Sequence, residues 1–357
     1  MKLSTTLIGL AFLLLAACAD SAPKNETATI PPAVTAAVAT AALPPATLPP
    51  TDTASSTATA SSTSTASSTS TASPTNTPTP VATNTPAIPI PLQFDGETAY
   101  NVLLQQMDFG PRWPGSPGHA IAGDYIVSQL SGEGWNVEEQ PFTYLDLPGR
   151  NIIGRQNEGA GPVIILGAHY DSRRIADQTP GSLEPVPGAV DGASGVAVLL
   201  ELARTLDLGE IDHEIWLAFF DVEDQGSGGM PGFSYIVGST YMAEQLDIMP
   251  RAMVLVDMIG DADQQLYYEG NSDQILRANL WQIAADLGYG DNFIPEQRHV
   301  MLDDHIPFVN KGIPSVDIID FDYPYWHTME DTADKASPES LERVGRTLEE
   351  WLENRLQ

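Results

Sequence analysis

The sequence predicts an α/β fold, a three-layer sandwich with a mainly parallel central sheet and helices on both faces. Two observations carry that expectation. Three short runs, Val163–Leu166, Ile215–Phe220 and Met253–Val256, are apolar without interruption, as strands buried on both faces must be. Segments with helical apolar spacing lie between them, and strands that alternate with helices build parallel sheets, because each crossover returns the chain to the same edge.

Taken in order, Leu103 and Leu104 suit an opening helix and Ala120 to Leu130 a second one. Val137–Tyr144 and Asn151–Arg155 read as two early strands, and Val163–Leu166 as the first fully buried one. Gly195–Leu206 is helical by spacing, Ile215–Phe220 is a strand, Tyr241–Leu246 a short helix and Met253–Val256 a strand. Ile275–Leu287 is a helix, Ser315–Ile319 a strand, and Pro338–Leu356 a closing amphipathic helix. Pro338 and Glu339 belong in its first turn, where a missing N–H costs nothing and a negative charge meets the positive helix end.

The segment before residue 93 is a different material. Lys2 precedes an apolar run from Leu7 to Ala17, shorter than the roughly 20 residues of a spanning helix and suited to an export signal. It ends in Leu15-Ala16-Ala17-Cys18, which resembles a bacterial lipobox, and Cys18 is the one cysteine of the chain. Residues 1–18 are therefore expected to be a signal peptide, with Cys18 lipidated and the protein exported and anchored on the outer face of a bacterial membrane. Residues 19–92, rich in Ala, Ser, Thr and Pro, cannot bury enough apolar surface to offset their ordering entropy and are expected to form a disordered linker. Residues 93–357 remain as one folded domain, long enough to bury roughly 75% of its unfolded surface without disulfides.

Charge narrows the partners. The chain has a formal net charge of −31, and its first 92 residues hold only 2 of the 16 bases and 3 of the 47 acids. So acidic a domain has no basic footprint for phosphates, which excludes nucleic acid, and an anionic membrane surface would repel it. Membrane contact is expected only through the lipid, and the chain is expected to be a monomer.

In an open α/β sheet ligands bind beyond the carboxyl ends of the strands, so the residues that follow each apolar run matter most. There stand His169 and Asp171, Glu223 and Asp224, and Asp257; Asp191 precedes the helix at Gly195, and Tyr323, Trp326 and His327 follow the last strand. Acids converging on one sheet edge repel one another unless a cation lies among them. Two histidines with three carboxylates form an N/O set suited to zinc. Asp171, two residues beyond His169, is placed to orient that imidazole from behind.

The motifs G-A-H-Y-D at 167–171, G-A-V-D-G-A-S-G at 188–195, F-F-D-V-E-D at 219–224, L-V-D at 255–257, D-D-H-I-P-F at 303–308 and W-H-T at 326–328 together resemble metallopeptidase family 28. That family includes secreted zinc aminopeptidases and glutaminyl cyclases, and the resemblance covers essentially all of 94–357. It implies a zinc exopeptidase-like fold and one or two zinc ions. Asp191, Asp224 and His327 would hold the first, and His169 and Asp257, with Asp191 as a bridge, the second. It also implies that Glu223 carries the proton. One departure is Asp224, where the family commonly has the longer Glu. His305 matches the family's D-H pair and is expected behind the site or in the substrate pocket, while His119, His213 and His299 match no motif and read as structural.

Substrates are then peptide or protein N-termini, and two chemistries compete. Asp303 in D-D-H, Trp326 before the histidine, Tyr323, and R-W-P-G-S-P-G at 112–118 resemble the cyclases, with Asp303 in the proton-handling network. G-A-S-G at 192–195, D-T-A-D-K at 331–335 and the full complement of ligands resemble the aminopeptidases, and Asp317 stands where cyclases often place a histidine. The reading taken is glutaminyl-peptide cyclotransferase, conversion of N-terminal Gln to pyroglutamate. The alternative is a zinc aminopeptidase, and a metal-dependent solute-binding lipoprotein stands third.

Overall fold

A six-stranded sheet in the order β1-β2-β4-β3-β5-β8 organises the computed structural model, which describes residues 89–356. Its strands are β1 (Asn136–Tyr144), β2 (Leu147–Gln156), β3 (Val163–His169), β4 (Glu214–Phe220), β5 (Ala252–Asp257) and β8 (Ser315–Ile319). β4, β3, β5 and β8 pair in parallel, and β2 alone runs against its neighbours β1 and β4. The expected signal peptide, Cys18 and nearly all of the expected linker lie outside the described residues.

The continuous apolar runs are buried for the reason expected, since alternate side chains enter different cores. Ile164, Leu166, Ile215, Leu217, Phe219, Val254 and Val256 join one cluster, while Val163, Ile165, Trp216, Ala218, Phe220, Met253 and Leu255 join another. The first core is covered by α1 (Gly96–Asp108), α2 (Pro117–Gly132), α3 (Ala193–Thr205), α5 (Gln274–Asp286) and α7 (Pro338–Glu350). The second lies under α4 (Val237–Gln245) and α6 (Ile306–Asn310). Two helical layers around a strand layer are the expected sandwich.

Capping explains where the helices begin. Asp95, Ser116, Asp273 and Ser337 each accept a hydrogen bond from the first turn of α1, α2, α5 and α7, satisfying N–H groups that have no partner inside the helix. Ser116 followed by Pro117 starts α2 three residues before the apolar periodicity does. The closing helix ends its α-helical part at Glu350 and continues as a π-helical turn over Trp351–Arg355.

Three elements fall in stretches that periodicity does not mark: β6 (Leu266–Glu269), β7 (Phe293–His299) and α6. β6 has 4 residues and α6 has 5, and the middle of β7 is exposed and polar, so none shows an apolar repeat. β6 and β7 form a separate parallel pair with register shifts after Tyr267. That pair supports the segment leading to α6.

The fold brings the carboxyl ends of β3, β4 and β5 to one edge. His169 lies opposite Phe220 and Gly167 opposite Leu255 in the ladders, so Asp257 and the residues after Phe220 reach the level of His169. Among the described residues no helix is long and apolar enough to cross a membrane.

Candidate active site

Each acid at the sheet edge is held by backbone geometry that its neighbours dictate. After β4 the chain turns sharply at Val222, whose φ is +58°, an unfavourable conformation for a β-branched residue. The turn points the N–H groups of Glu223 and Asp224 at Asp171, which accepts them at 2.9 and 3.3 Å together with Gln225 Nε2 at 2.9 Å. Asp171 also lies 3.6 Å from His169 Nδ1. Asp191 is fixed differently: its N–H and that of Val190 donate to the Asp331 carboxylate at 3.2 and 2.8 Å. Gly192 follows with φ +99°, and a Cβ there would lie 2.7 Å from Asp171 O and 3.1 Å from His169 Cε1.

Two sets of buried donors result. His327 Nε2 lies 2.9 Å from Asp224 Oδ1 and 3.9 Å from Asp191 Oδ2. His169 Nε2 lies 3.2 Å from Asp191 Oδ1 and 3.1 Å from Asp257 Oδ1. Within each set the ligand atoms are all within 4.8 Å of one another, and Asp191 directs one oxygen to each set. Asp191 Oδ2 and Asp224 Oδ2 are buried without a hydrogen-bond partner in the protein, an arrangement costly for carboxylates unless a cation binds them. Buried imidazole nitrogens and carboxylate oxygens brought together in this way, two of the oxygens unsatisfied, fit a divalent metal such as zinc.

The residues around the donors complete the support. Arg173, fully buried, donates to Asp224 O at 2.8 Å and lies 3.3 Å from Asp224 Oδ1 while pairing with Asp177. Asp177 Oδ1 in turn lies 3.2 Å from His327 Nδ1, so it can set the direction of that ring. Trp326 stacks on His327 with centroids 3.7 Å apart. His327 itself has φ +57°.

A cavity of about 230 Å³ opens on this edge, lined by Asp191, Glu223, Asp224, Asp257, Asp303 and His327 and walled by Tyr235, Met258, Met301, Leu302, Ile319, Phe321 and Trp326. Burial pushes the carboxyl of Glu223 well above the usual carboxylate range; His169 opposes the shift, and Asp224, Asp304 and Asp257 add to it. Asp303 is raised in the same way, by burial and then by Asp317, Asp257 and Glu223. Asp224 is raised to about 6 by burial, against the pull of His327. A larger hollow of about 620 Å³ lies beside Ala252 and Pro314, at the opposite ends of β5 and β8. Its lining has no paired acids or histidines, so the smaller cavity is where chemistry can occur.

The sequence-derived residues fall into place unevenly. Asp191, Asp224, His327, His169 and Asp257 converge, and Glu223, Asp303 and Trp326 line the cavity beside them. Asp171 lies beneath Glu223 and Asp224. Tyr323 does not line the cavity; it is buried and donates its hydroxyl to Asp331 at 2.7 Å, acting on Asp191 through that carboxylate. His305 is also off the cavity, fully buried, 3.2 Å from Glu269 and 3.7 Å from Asp317. His119 pairs with Asp221 at 2.7 Å and stacks on Tyr170, and His299 lies 3.3 Å from Asp322, both away from the donors. Cys18 lies outside the described residues.

Sequence reasoning missed Arg173, Asp177, Glu269 and Asp331 as parts of the site. Arg173 and Asp177 carried a faint signal, an opposite-charge pair four residues apart directly after G-A-H-Y-D. Glu269 had none, because it ends a strand that periodicity does not reveal.

Comparison with known proteins gives the family of the chain. Residues 151–352 match the model of Peptidase family M28. The chain is 30% identical over 307 residues to a glutaminyl-peptide cyclotransferase of Gloydius blomhoffii, covering 72% of this chain and 82% of that protein. The solved structure of Porphyromonas gingivalis glutaminyl cyclase is 35% identical with a TM-score of 0.69, over 74% of this chain and 100% of that one. A Zn-dependent exopeptidase from Parabacteroides distasonis is equally similar in shape, with a TM-score of 0.69 and 32% identity over 73% and 99% of the two chains. Cyclase and exopeptidase thus stand at the same TM-score, and what they share with this protein is the fold: with residues 151–352 matched by the family model, the chain belongs to peptidase family M28.

Proposed function

We propose that the protein is a zinc-dependent glutaminyl-peptide cyclotransferase that converts N-terminal Gln of peptides to pyroglutamate and releases ammonia. The observation that carries this reading is the pair of buried carboxyl groups, Glu223 and Asp303, on a cavity of about 230 Å³, room for one substrate side chain under the aromatic wall of Phe321 and Trp326.

Asp191, Asp224 and His327 would hold zinc, and His169 and Asp257, sharing Asp191, a second ion where one binds. An ion held there would supply Lewis-acid polarisation of the substrate carbonyl. The acidic lining attracts the α-amino end of a peptide, which reacts as the neutral amine, and a cavity of this size would hold the glutamine folded back on itself, which makes the attack effectively unimolecular. The α-nitrogen bonds to the side-chain amide carbon, the carbon–nitrogen bond to the amide nitrogen breaks, and one proton travels from the amine to the departing ammonia. Glu223 is positioned to take and return that proton, and its raised affinity for protons suits the task. Asp303 faces the same space, and burial raises its affinity for a proton as well, so a second proton-holding carboxyl lies on the cavity.

Zinc aminopeptidase activity is the second reading, favoured by the completeness of both donor sets, which a hydrolase using two metals needs. Incubating the enzyme with a Gln-initiated peptide separates them. Ammonia release with a blocked N-terminus is the expected outcome; free amino acid, turnover of a Leu-anilide and two zinc ions per chain would instead identify the peptidase.

The reading also places the protein outside the cell as a monomer held by lipid at Cys18, supported by Leu15-Ala16-Ala17-Cys18 and the apolar run before it. Replacing Cys18→Ser is expected to move the protein from the membrane fraction to the soluble one, and sedimentation of that variant is expected to give a monomer mass.

A further inference from the structure

Asp303 sits on a segment with little regular structure, between β7 and the 5-residue α6, yet it must hold a fixed place on the cavity. The fixing comes from a residue that does not touch the cavity. Glu269, at the end of β6 and 1% exposed, accepts hydrogen bonds from Asn271 N, Ser272 N and Ser272 Oγ at 2.7 to 2.9 Å and from Met301 N at 3.0 Å. His305 Nε2 lies 3.2 Å from the same carboxylate. Met301 and His305 are the residues two before and two after Asp303. The Met301 carbonyl is tied as well, accepting from Asn271 Nδ2 at 2.8 Å. Ser272 links the same knot to the sheet, because its hydroxyl accepts from Asp317 N at 3.0 Å. One buried carboxylate therefore holds both flanks of Asp303 and joins them to β8.

We propose that Glu269 is a positioning residue for the reaction, fixing Asp303 and the Met301–Leu302 wall by binding the chain on either side of them. The inference rests on the reading of Asp303 as part of the proton-handling pair. Its carboxylate form is the one the knot requires: although burial raises its pKa, the hydrogen bonds from His305, Asn271 and Met301 outweigh burial and bring it to about 2. Replacing an oxygen with NH₂ in Glu269→Gln would set a donor against N–H groups, loosening the segment without altering any group on the cavity.

A double-mutant cycle in the full chain tests this. With a Gln-initiated peptide, Glu269→Gln is expected to lower kcat by at least about tenfold, as small misplacements do, with KM within about threefold and zinc content unchanged. In the Asp303→Ala background the same change is expected to cost nothing further. Effects that multiply, or an Asp303→Ala enzyme as fast as wild type beside a slow Glu269→Gln enzyme, would overturn the proposal. Should Glu269→Gln not fold, Asn271→Ala, which frees only the Met301 carbonyl, carries the cycle with an expected loss of about threefold, and multiplying effects overturn the proposal there too. If the product is amino acid rather than ammonia, the cyclase reading fails, and the cycle run on amino-acid release still decides the role of Glu269.

Discussion

Gly192 shows how little room the donor cluster leaves. With φ at +99° and a Cβ that would press on Asp171 O and His169 Cε1, Gly192→Ala is both strained and crowded. It is expected to displace His169 and weaken metal binding by about tenfold or more, read as zinc retained after dialysis against a chelator. Glu223 makes the complementary case. Since it lines the cavity beside the donors, Glu223→Gln is expected to cost about 10²- to 10⁴-fold in kcat with zinc still bound. Retained turnover would sink its role as proton carrier, and turnover absent from the wild type as well would favour a binding protein. Removing zinc with a chelator is expected to abolish turnover, and adding it back to restore activity.

At the scale of elements, the way the chain enters the domain depends on α7 and the turn beyond it. Asn354 exchanges hydrogen bonds with both backbone groups of Ile90, at 2.8 and 3.2 Å. Glu349 accepts from the N–H groups of Gln93 and Phe94, and Glu201 of α3 from Asp95 N. Phe94 is fully buried, with its ring against Gly345, where any Cβ would collide with it. A chain starting at residue 89 is expected to keep wild-type kcat/KM, whereas one starting at residue 96 loses Phe94 and is expected to be less stable by about 3 kcal/mol or more, read by denaturant unfolding. Gly345→Ala is expected to cost about 1–3 kcal/mol through overpacking at the same contact.

At the scale of the molecule, the large acid excess makes stability depend on pH. Glu353, which accepts from Asp207 N at 2.7 Å, has its pKa raised from 4.5 to about 7 by burial, with Glu349, Asp207 and Glu350 adding to the shift. A carboxyl that holds its proton more tightly when folded favours folding at low pH, and that contribution is lost as pH rises from about 4.5 to 7. Glu353→Gln is therefore expected to raise the melting temperature at pH 8 by about 2 °C and to leave it unchanged at pH 4. Glu269 has the opposite sign: with its pKa depressed to about 2, its contribution is present above the usual carboxylate range and fades as pH falls towards 2.

What the sequence by itself determined is the layered α/β fold, the strands that carry His169, Glu223, Asp224 and Asp257, and the order of the motifs. Continuous apolar runs and the residues that end them are local patterns, and burial on both sheet faces leaves them few other structures to form. The tertiary structure alone decided that Asp191 directs one oxygen to each histidine, that Arg173 and Asp177 brace the Asp224–His327 side, and that Tyr323 acts through Asp331 rather than on the cavity. It also decided that Glu269 holds the segment of Asp303. Those contacts join residues from 4 to 150 positions apart through single hydrogen bonds and ion pairs. Such pairings leave no periodicity in the chain, because they depend on which strand ends the sheet brings side by side.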